Sequence, residues 1–298
     1  MSGGNAAAQG VRWRLGTMGF GYDDWAGVFY PRALRAADRL ASYATCFDVV
    51  ELDTTFHATP DPKVVRRWAE ATPPHFRFTA KLPRQVTHAA AEGVPLISRA
   101  SLEATRHFLD VTAELGEKRR AILMQFPPAF TADHADDLAG YLDAWPSDVP
   151  AAVELRHDSW WRPGVGPRTA RLLRARNMPW VAADEAPEQL VPFPPDDETA
   201  AGAYRPRPLV LTADWLYLRW IGRHEQYPDL AEERVDPARR LGWWAANLRK
   251  LAAGGRVREV VGFFNNGYSG HSPTACRTML RLLDLPVPQV PARQASLF

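Results

Sequence analysis

Short apolar runs alternate with helical patterns along this chain, and that alternation constrains the fold more than any other feature. The runs cover residues 12–20, 49–56, 76–82, 121–126, 151–157, 179–184, 215–221 and 259–266. Each is short enough to be a buried strand. Helical patterns lie between them, for example at 33–45, 62–71, 98–115 and 237–253. In the last of these Leu241, Trp244, Leu248 and Leu251 recur at helical spacing, which makes a core-facing stripe. Alternating strand and helix implies parallel strands joined by right-handed crossovers. Eight such units predict a single (β/α)8 barrel of the TIM type, with a doubly wound open sheet as the alternative. The chain has 298 residues, and one such barrel needs ~250.

The two ends and one internal segment break the rhythm. Residues 1–11 are rich in glycine and alanine and are expected to be a disordered leader, with the barrel over 12–285. Residues 286–298 contain Pro286, Pro288 and Pro291 and are expected to be a flexible tail. Residues 186–208 are rich in proline and acid and are expected to form a long surface loop after the sixth strand.

Thirty-six basic residues against 34 acidic ones give a net charge of +2. That balance argues against a general nucleic-acid binder and leaves room for a local basic patch. Cys46 and Cys276 are the only cysteines, so neither a disulfide framework nor a thiolate metal cluster is indicated. The first ten residues read as a disordered leader rather than a signal peptide, and no stretch approaches the ~18 apolar residues of a membrane span. A reducing cytoplasm and no membrane association are the expectation.

Parity along the strands places the polar residues. Successive side chains in a strand point to opposite faces. Phe76, Phe78, Ala80 and Leu82 therefore share the helix-facing side of the third run, and Arg77, Thr79 and Lys81 face inward. The same test groups Glu51 with Asp53 and Thr55, Glu154 with Arg156, and Tyr217 with Arg219. Burying a charge without a partner is expensive, so these groups must pair or serve a ligand. Glu51, Lys81, Gln125, Glu154, Arg156, His157, Asp184, Arg219, Asn265 and Asn266 fall at the last residues of their runs, the end where barrel enzymes build their sites.

The ordered blocks of residues resemble the YecE-like family, number seventy-two among the domain-of-unknown-function families. Gly16, Gly19, Phe20, Tyr22, Trp25, Gly27, Phe29, Tyr30 and Pro31 carry the first block. Glu51, Leu52, Asp53, Thr55 and Phe56 carry the second, and Trp68, Phe76, Phe78, Lys81, Pro83, Thr87 and His88 the third. Glu154, Arg156, His157, Ser159 and Trp160 follow, and then Arg219, Gly222, Phe264, Asn265 and Asn266. The resemblance spans residues 12–284 and implies a barrel without an assigned activity. By analogy with endonuclease-type barrels it suggests nucleic-acid processing, an analogy of fold alone. Two positions depart from the family pattern: Asp53 replaces the usual asparagine and His57 the usual tyrosine.

The residues themselves allow several chemistries. Glu51 and Glu154, with Lys81, form a catalytic set if their surroundings push the two carboxyl pKa values apart. Lys81, Arg156 and Arg219 suit a phosphate or carboxylate. Asn265, Asn266, His157, Tyr22 and Gln125 add polar contacts. The plain alternative is a network of acid–base pairs that braces the strand ends. Glu51, Glu154, His157 and Asp184 also offer ligands to a divalent metal, though no metal-motif spacing is present. No nucleotide-cofactor fingerprint occurs. The expected partner is an anionic small molecule or a nucleic acid. The leading expectation is a hydrolase or acid–base enzyme, against a sugar- or metabolite-processing hydrolase or isomerase. A third reading rests on the terminal Gln294, Ala295, Ser296, Leu297 and Phe298, which resemble peptides that dock on the DNA sliding clamp. On that reading the protein is a non-catalytic accessory of repair or replication.

Overall fold

The computed structural model describes residues 10–185, 209–222 and 227–290. The expected loop at 186–208 and the clamp-like residues Gln294, Leu297 and Phe298 lie outside them, as does nearly all of the expected leader. Eight strands form one sheet in the order β5-β4-β3-β2-β1-β8-β7-β6. They are β1 (Arg12–Met18), β2 (Val49–Leu52), β3 (Arg77–Lys81), β4 (Arg119–Phe126), β5 (Ala151–Leu155), β6 (Ala182–Asp184), β7 (Trp215–Trp220) and β8 (Glu259–Phe264). The helices among the described residues are α1 (Arg39–Tyr43), α2 (Pro62–Glu70), α3 (Arg84–Ala91), α4 (Arg99–Thr112), α5 (Ala135–Asp143), α6 (Val165–Arg174), α7 (Ala238–Ala253) and α8 (Ser272–Leu282). Neighbouring strands run parallel, as at β7 and β8. Trp180, two residues before β6, bridges in parallel to Val153 of β5. The fold is the (β/α)8 barrel of the TIM type. No described helix is long and apolar enough to cross a membrane.

The residues group into two compact units, Met1–Val50 with Ala182–Leu209 and Asp214–Phe298, and Glu51–Val181 with Val210–Ala213. In the first unit, β1 approaches the start of β2 closely. A Cβ on Gly16 would lie 2.0 Å from the Val49 carbonyl oxygen, so only glycine fits there. The Tyr43 hydroxyl locks this contact. It accepts from the Thr17 amide at 2.8 Å and donates to the Val49 carbonyl at 3.1 Å. The stripe of α7 is buried at Leu241, Trp244 and Leu248, and Trp244 meets Trp220 edge to face.

In the second unit β3, β4 and β5 pair in register, with Lys81 beside Leu123 and Gln125 beside Glu154. Their runs are almost wholly buried, for example Ile122, Leu123 and Met124. That is the composition of strands covered on both faces. Asp61 caps α2 by accepting from the Lys63 amide, with Pro62 at the first helical position. Ser98 caps α4 in the same way.

Several boundaries differ from the sequence expectation. The second run stops as a strand at Leu52, and Asp53–Phe56 form a short 3-10 turn. Asp53 and Thr55 therefore do not share a strand face with Glu51. The Thr55 hydroxyl donates to the Leu52 carbonyl and so favours the turn over further strand. Arg156 and His157 lie beyond the end of β5, and Asn265 and Asn266 beyond β8. The expected helix at 33–45 is only Arg39–Tyr43, preceded by a 3-10 turn at Ala36–Asp38. The tail expected to be flexible from residue 286 is held as far as residue 290. Pro288 accepts from Arg277, Gln289 accepts from the Cys46 thiol, and Val290 is buried.

Candidate functional site

Lys81 is the last residue of β3 and is 7% exposed. Its ammonium lies 3.9 Å from the centre of the Phe56 ring and 3.3 Å from Asp53 Oδ1. The 3-10 turn after β2 supplies both partners. Thr55 ties that turn to β3, donating to the Lys81 carbonyl and accepting from the Lys81 amide. The early stop of β2 thus makes the lysine's surroundings. An ammonium over an aromatic face is attracted by the ring quadrupole, and a desolvated one more strongly.

His88 on α3 meets the same Phe56 ring edge to face at 4.8 Å. Its Nδ1 is 3.1 Å from the Thr87 hydroxyl. Burial, and then the positive charges of Lys81, Arg84 and Arg156, lower its pKa to about 4. At neutral pH this imidazole is uncharged, and it becomes a better proton acceptor when an anion offsets the neighbouring cations.

Glu154, next to last in β5, is 1% exposed and accepts from Arg156 Nε at 2.7 Å. A guanidinium at that distance makes a charge-assisted hydrogen bond to the carboxylate. Gln125 lies beside it on β4 and is buried, and Glu51 near the end of β2 is fully buried. His157 Nδ1 accepts from the Ser159 amide and so caps the turn Asp158–Trp161.

The first unit holds a second polar set. Arg219 near the end of β7 and Asn265 just after β8 both donate to the Met18 sulfur, at 3.4 and 3.6 Å. Tyr22 donates to the Met18 carbonyl at 2.7 Å. Asn265 Oδ1 accepts from Gly267, and Asn266 Oδ1 accepts from the amide and hydroxyl of Ser272 at the start of α8. Asn266 therefore serves as a helix cap. Asp184, the last residue of β6, accepts from Arg240, Trp244 Nε1 and the Tyr268 hydroxyl. Arg240 also stands over the Tyr268 ring, 5.3 Å from its centre.

These contacts engage two of the four candidate metal ligands, Asp184 and His157. Both oxygens of Asp184 are engaged by protein donors, and His157 Nδ1 is engaged in its cap. Among the described residues no three His, Cys, Asp or Glu side chains gather as a metal site. Phe56, His88 and Arg84 were not singled out for the anion-binding set. The spacing of Arg84 and His88 on α3 was readable, because residues one turn apart share a helix face. The Arg240–Asp184 pair joins residues 56 positions apart, and no local pattern carries it.

A family model described as "Protein of unknown function DUF72" matches residues 14–296. UPF0759 protein YecE of Escherichia coli O157:H7 is 28% identical over 270 residues, covering 87% of this chain and 92% of the relative. UPF0759 protein YunF of Bacillus subtilis (strain 168) is 25% identical over 301 residues, covering 95% and 99%. A crystal structure of a DUF72 family protein from Thermotoga maritima MSB8 superposes with a TM-score of 0.69 at 28% identity, covering 92% of this chain and 99% of that one. One from Enterococcus faecalis V583 gives 0.64 at 21% identity, covering 93% and 99%. The chain belongs to the DUF72 family of proteins of unknown function.

Proposed function

We propose that the protein binds a phosphate-bearing anion at the strand ends of its second unit and acts on it by acid–base chemistry. Lys81 and Arg156 bind the anion, His88 is the proton acceptor, and Glu154 orients Arg156. The observation that carries this reading is the gathering of Lys81 and His88 on one aromatic ring, Phe56. Lys81 stands over the Phe56 ring that His88 meets edge to face, and after burial the charges of Lys81, Arg84 and Arg156 lower the imidazole pKa. Asp53 pairs with Lys81 and Glu154 with Arg156. A positive field beside a neutral base is what a phosphoester or other anion needs on approach.

The test is binding of inorganic pyrophosphate, a phosphorylated sugar and a short single-stranded oligonucleotide, followed by calorimetry. At least one should bind, and Lys81→Met should weaken it by about tenfold or more, the worth of one charged hydrogen bond. Lys81→Arg should retain part of the affinity. Wild-type protein that binds none of the three, or Lys81→Met that binds like wild type, overturns the assignment. Preference between sugar and oligonucleotide separates metabolite chemistry from nucleic-acid processing.

A further inference from the structure

A cavity of about 360 Å³ opens on the flank of the second unit, between α4, α5 and the turn that leads into β5. Its volume lies within the range of small-molecule sites, roughly 300–1,000 Å³. Arg119, the first residue of β4, lines it. Gln125 stands six residues further along the same strand, about 20 Å away at the rise of a β-strand. This cavity is therefore separate from the Lys81 site.

The floor is apolar and aromatic. Leu109, Tyr141 and Trp145 line it and are nearly fully buried. The Trp145 indole is fixed by donation to the Val149 carbonyl at 2.8 Å, and the Tyr141 hydroxyl is 2.7 Å from that of Thr105.

The rim carries two guanidiniums and two carboxylates, Arg106, Arg119, Asp110 and Asp148. Arg119 uses Nη1 on the Leu109 carbonyl and the Thr112 hydroxyl. Its Nε and Nη2 have no protein partner among the described residues. Asp148 acts on Arg119 through space only. Arg106 and Asp110 stand one turn apart on α4, where opposite charges commonly pair, and they have no ion-pair partner among the described residues.

This rim selects its guest by charge. A dianionic phosphate would meet two carboxylates as well as two guanidiniums. A wholly apolar guest would use the floor alone and would cover the half-buried Arg119 without pairing it. A zwitterion with an apolar body satisfies both signs and the floor together. We propose that this cavity binds a free α-amino acid with an apolar side chain. Its carboxylate would lie on Arg119 Nε and Nη2, its ammonium on Asp148 or Asp110, and its side chain against Leu109 and Trp145. This proposal stands apart from the phosphate reading and does not depend on it.

The test follows the Trp145 indole N–H by NMR while the full-length protein is titrated with L-phenylalanine and L-leucine. Hydrocinnamate, which lacks the ammonium, and phenethylamine, which lacks the carboxylate, are the controls. At least one amino acid should shift the indole signal saturably, and both controls should bind at least about tenfold more weakly. Arg119→Met and Asp148→Asn should each weaken the amino acid by a similar factor. Asp148 is exposed, so that variant folds even if the first is impaired. Absence of a saturable shift with both amino acids overturns the proposal. So do controls that bind equally well, or an Asp148→Asn protein that binds like wild type.

Discussion

Arg156 Nε donates to Glu154 Oε1 at 2.7 Å, from a guanidinium 15% exposed to a carboxylate 1% exposed. The pair is buried on the carboxylate side, so its two halves are not equivalent. Removing the arginine leaves a buried carboxylate with a lost partner, which typically costs about 3–5 kcal/mol. Arg156→Met should therefore lower stability by a large fraction of that amount in urea unfolding. The double variant Arg156→Met with Glu154→Gln should recover much of the loss. A double variant as unstable as the sum of the singles would mean that the pair does not act as a unit.

His88 reports on anion binding. The cations around it lower its pKa to about 4, and a bound anion offsets them. Its imidazole, followed by NMR, should titrate near pH 4 in the free protein and at higher pH with saturating pyrophosphate. Lys81→Met should raise the titration point of the free protein, because one of the depressing charges is gone. An unchanged titration in Lys81→Met would show that Lys81 does not act on this ring.

His271 makes the fold sensitive to acid. It is 4% exposed, its Nδ1 lies 2.7 Å from the Thr274 hydroxyl, and its Nε2 has no partner among the described residues. Burial, and then Arg277, lower its pKa to about 4. The unfolded chain takes up a proton near pH 6.5 and the folded chain only near pH 4, so the unfolded state binds more protons between these values. Stability is then fully present above about pH 6.5 and falls as the pH drops toward 4, by on the order of 3 kcal/mol. Urea unfolding of His271→Gln should show a flatter pH dependence in this window. A slope equal to wild type would rule out His271 as its source.

The contact of β1 with β2 should tolerate little change. Tyr43→Phe removes the hydroxyl that joins the Thr17 amide to the Val49 carbonyl. Stranding two buried backbone groups costs about 1–3 kcal/mol, visible as a lower melting temperature. Gly16→Ala should cost more, because its Cβ would sit 2.0 Å from the Val49 oxygen and one of the strands must move. Calorimetry that ranks Gly16→Ala above Tyr43→Phe in stability would contradict this packing.

The strand ends were legible because the signal is local. An apolar run of five to eight residues bounded by turn residues marks a buried strand, and parity within it separates Lys81 from Phe78 and Ala80 without knowledge of the rest of the chain. That rule placed Lys81, Gln125, Glu154, Arg219 and Asp184 in the last two residues of their strands. It failed at Asp53 and Thr55, where a hydroxyl competing for the backbone turned the chain after Leu52. The apolar character of Phe56 looked like strand and is instead the platform under Lys81.

The sequence by itself therefore determined the alternation of strand and helix, the (β/α)8 class, and which strand ends carry charge. Each depends on periodicity over a few residues. Only the tertiary structure decided what those charges meet. Asp184 is engaged by Arg240, Trp244 and Tyr268, Asn266 caps α8, and Lys81 finds an aromatic face and a carboxylate on a turn 25 or more residues away. Pairing of this kind is set by how distant segments pack, and a buried charge takes whichever donor or acceptor the packing brings within about 3 Å.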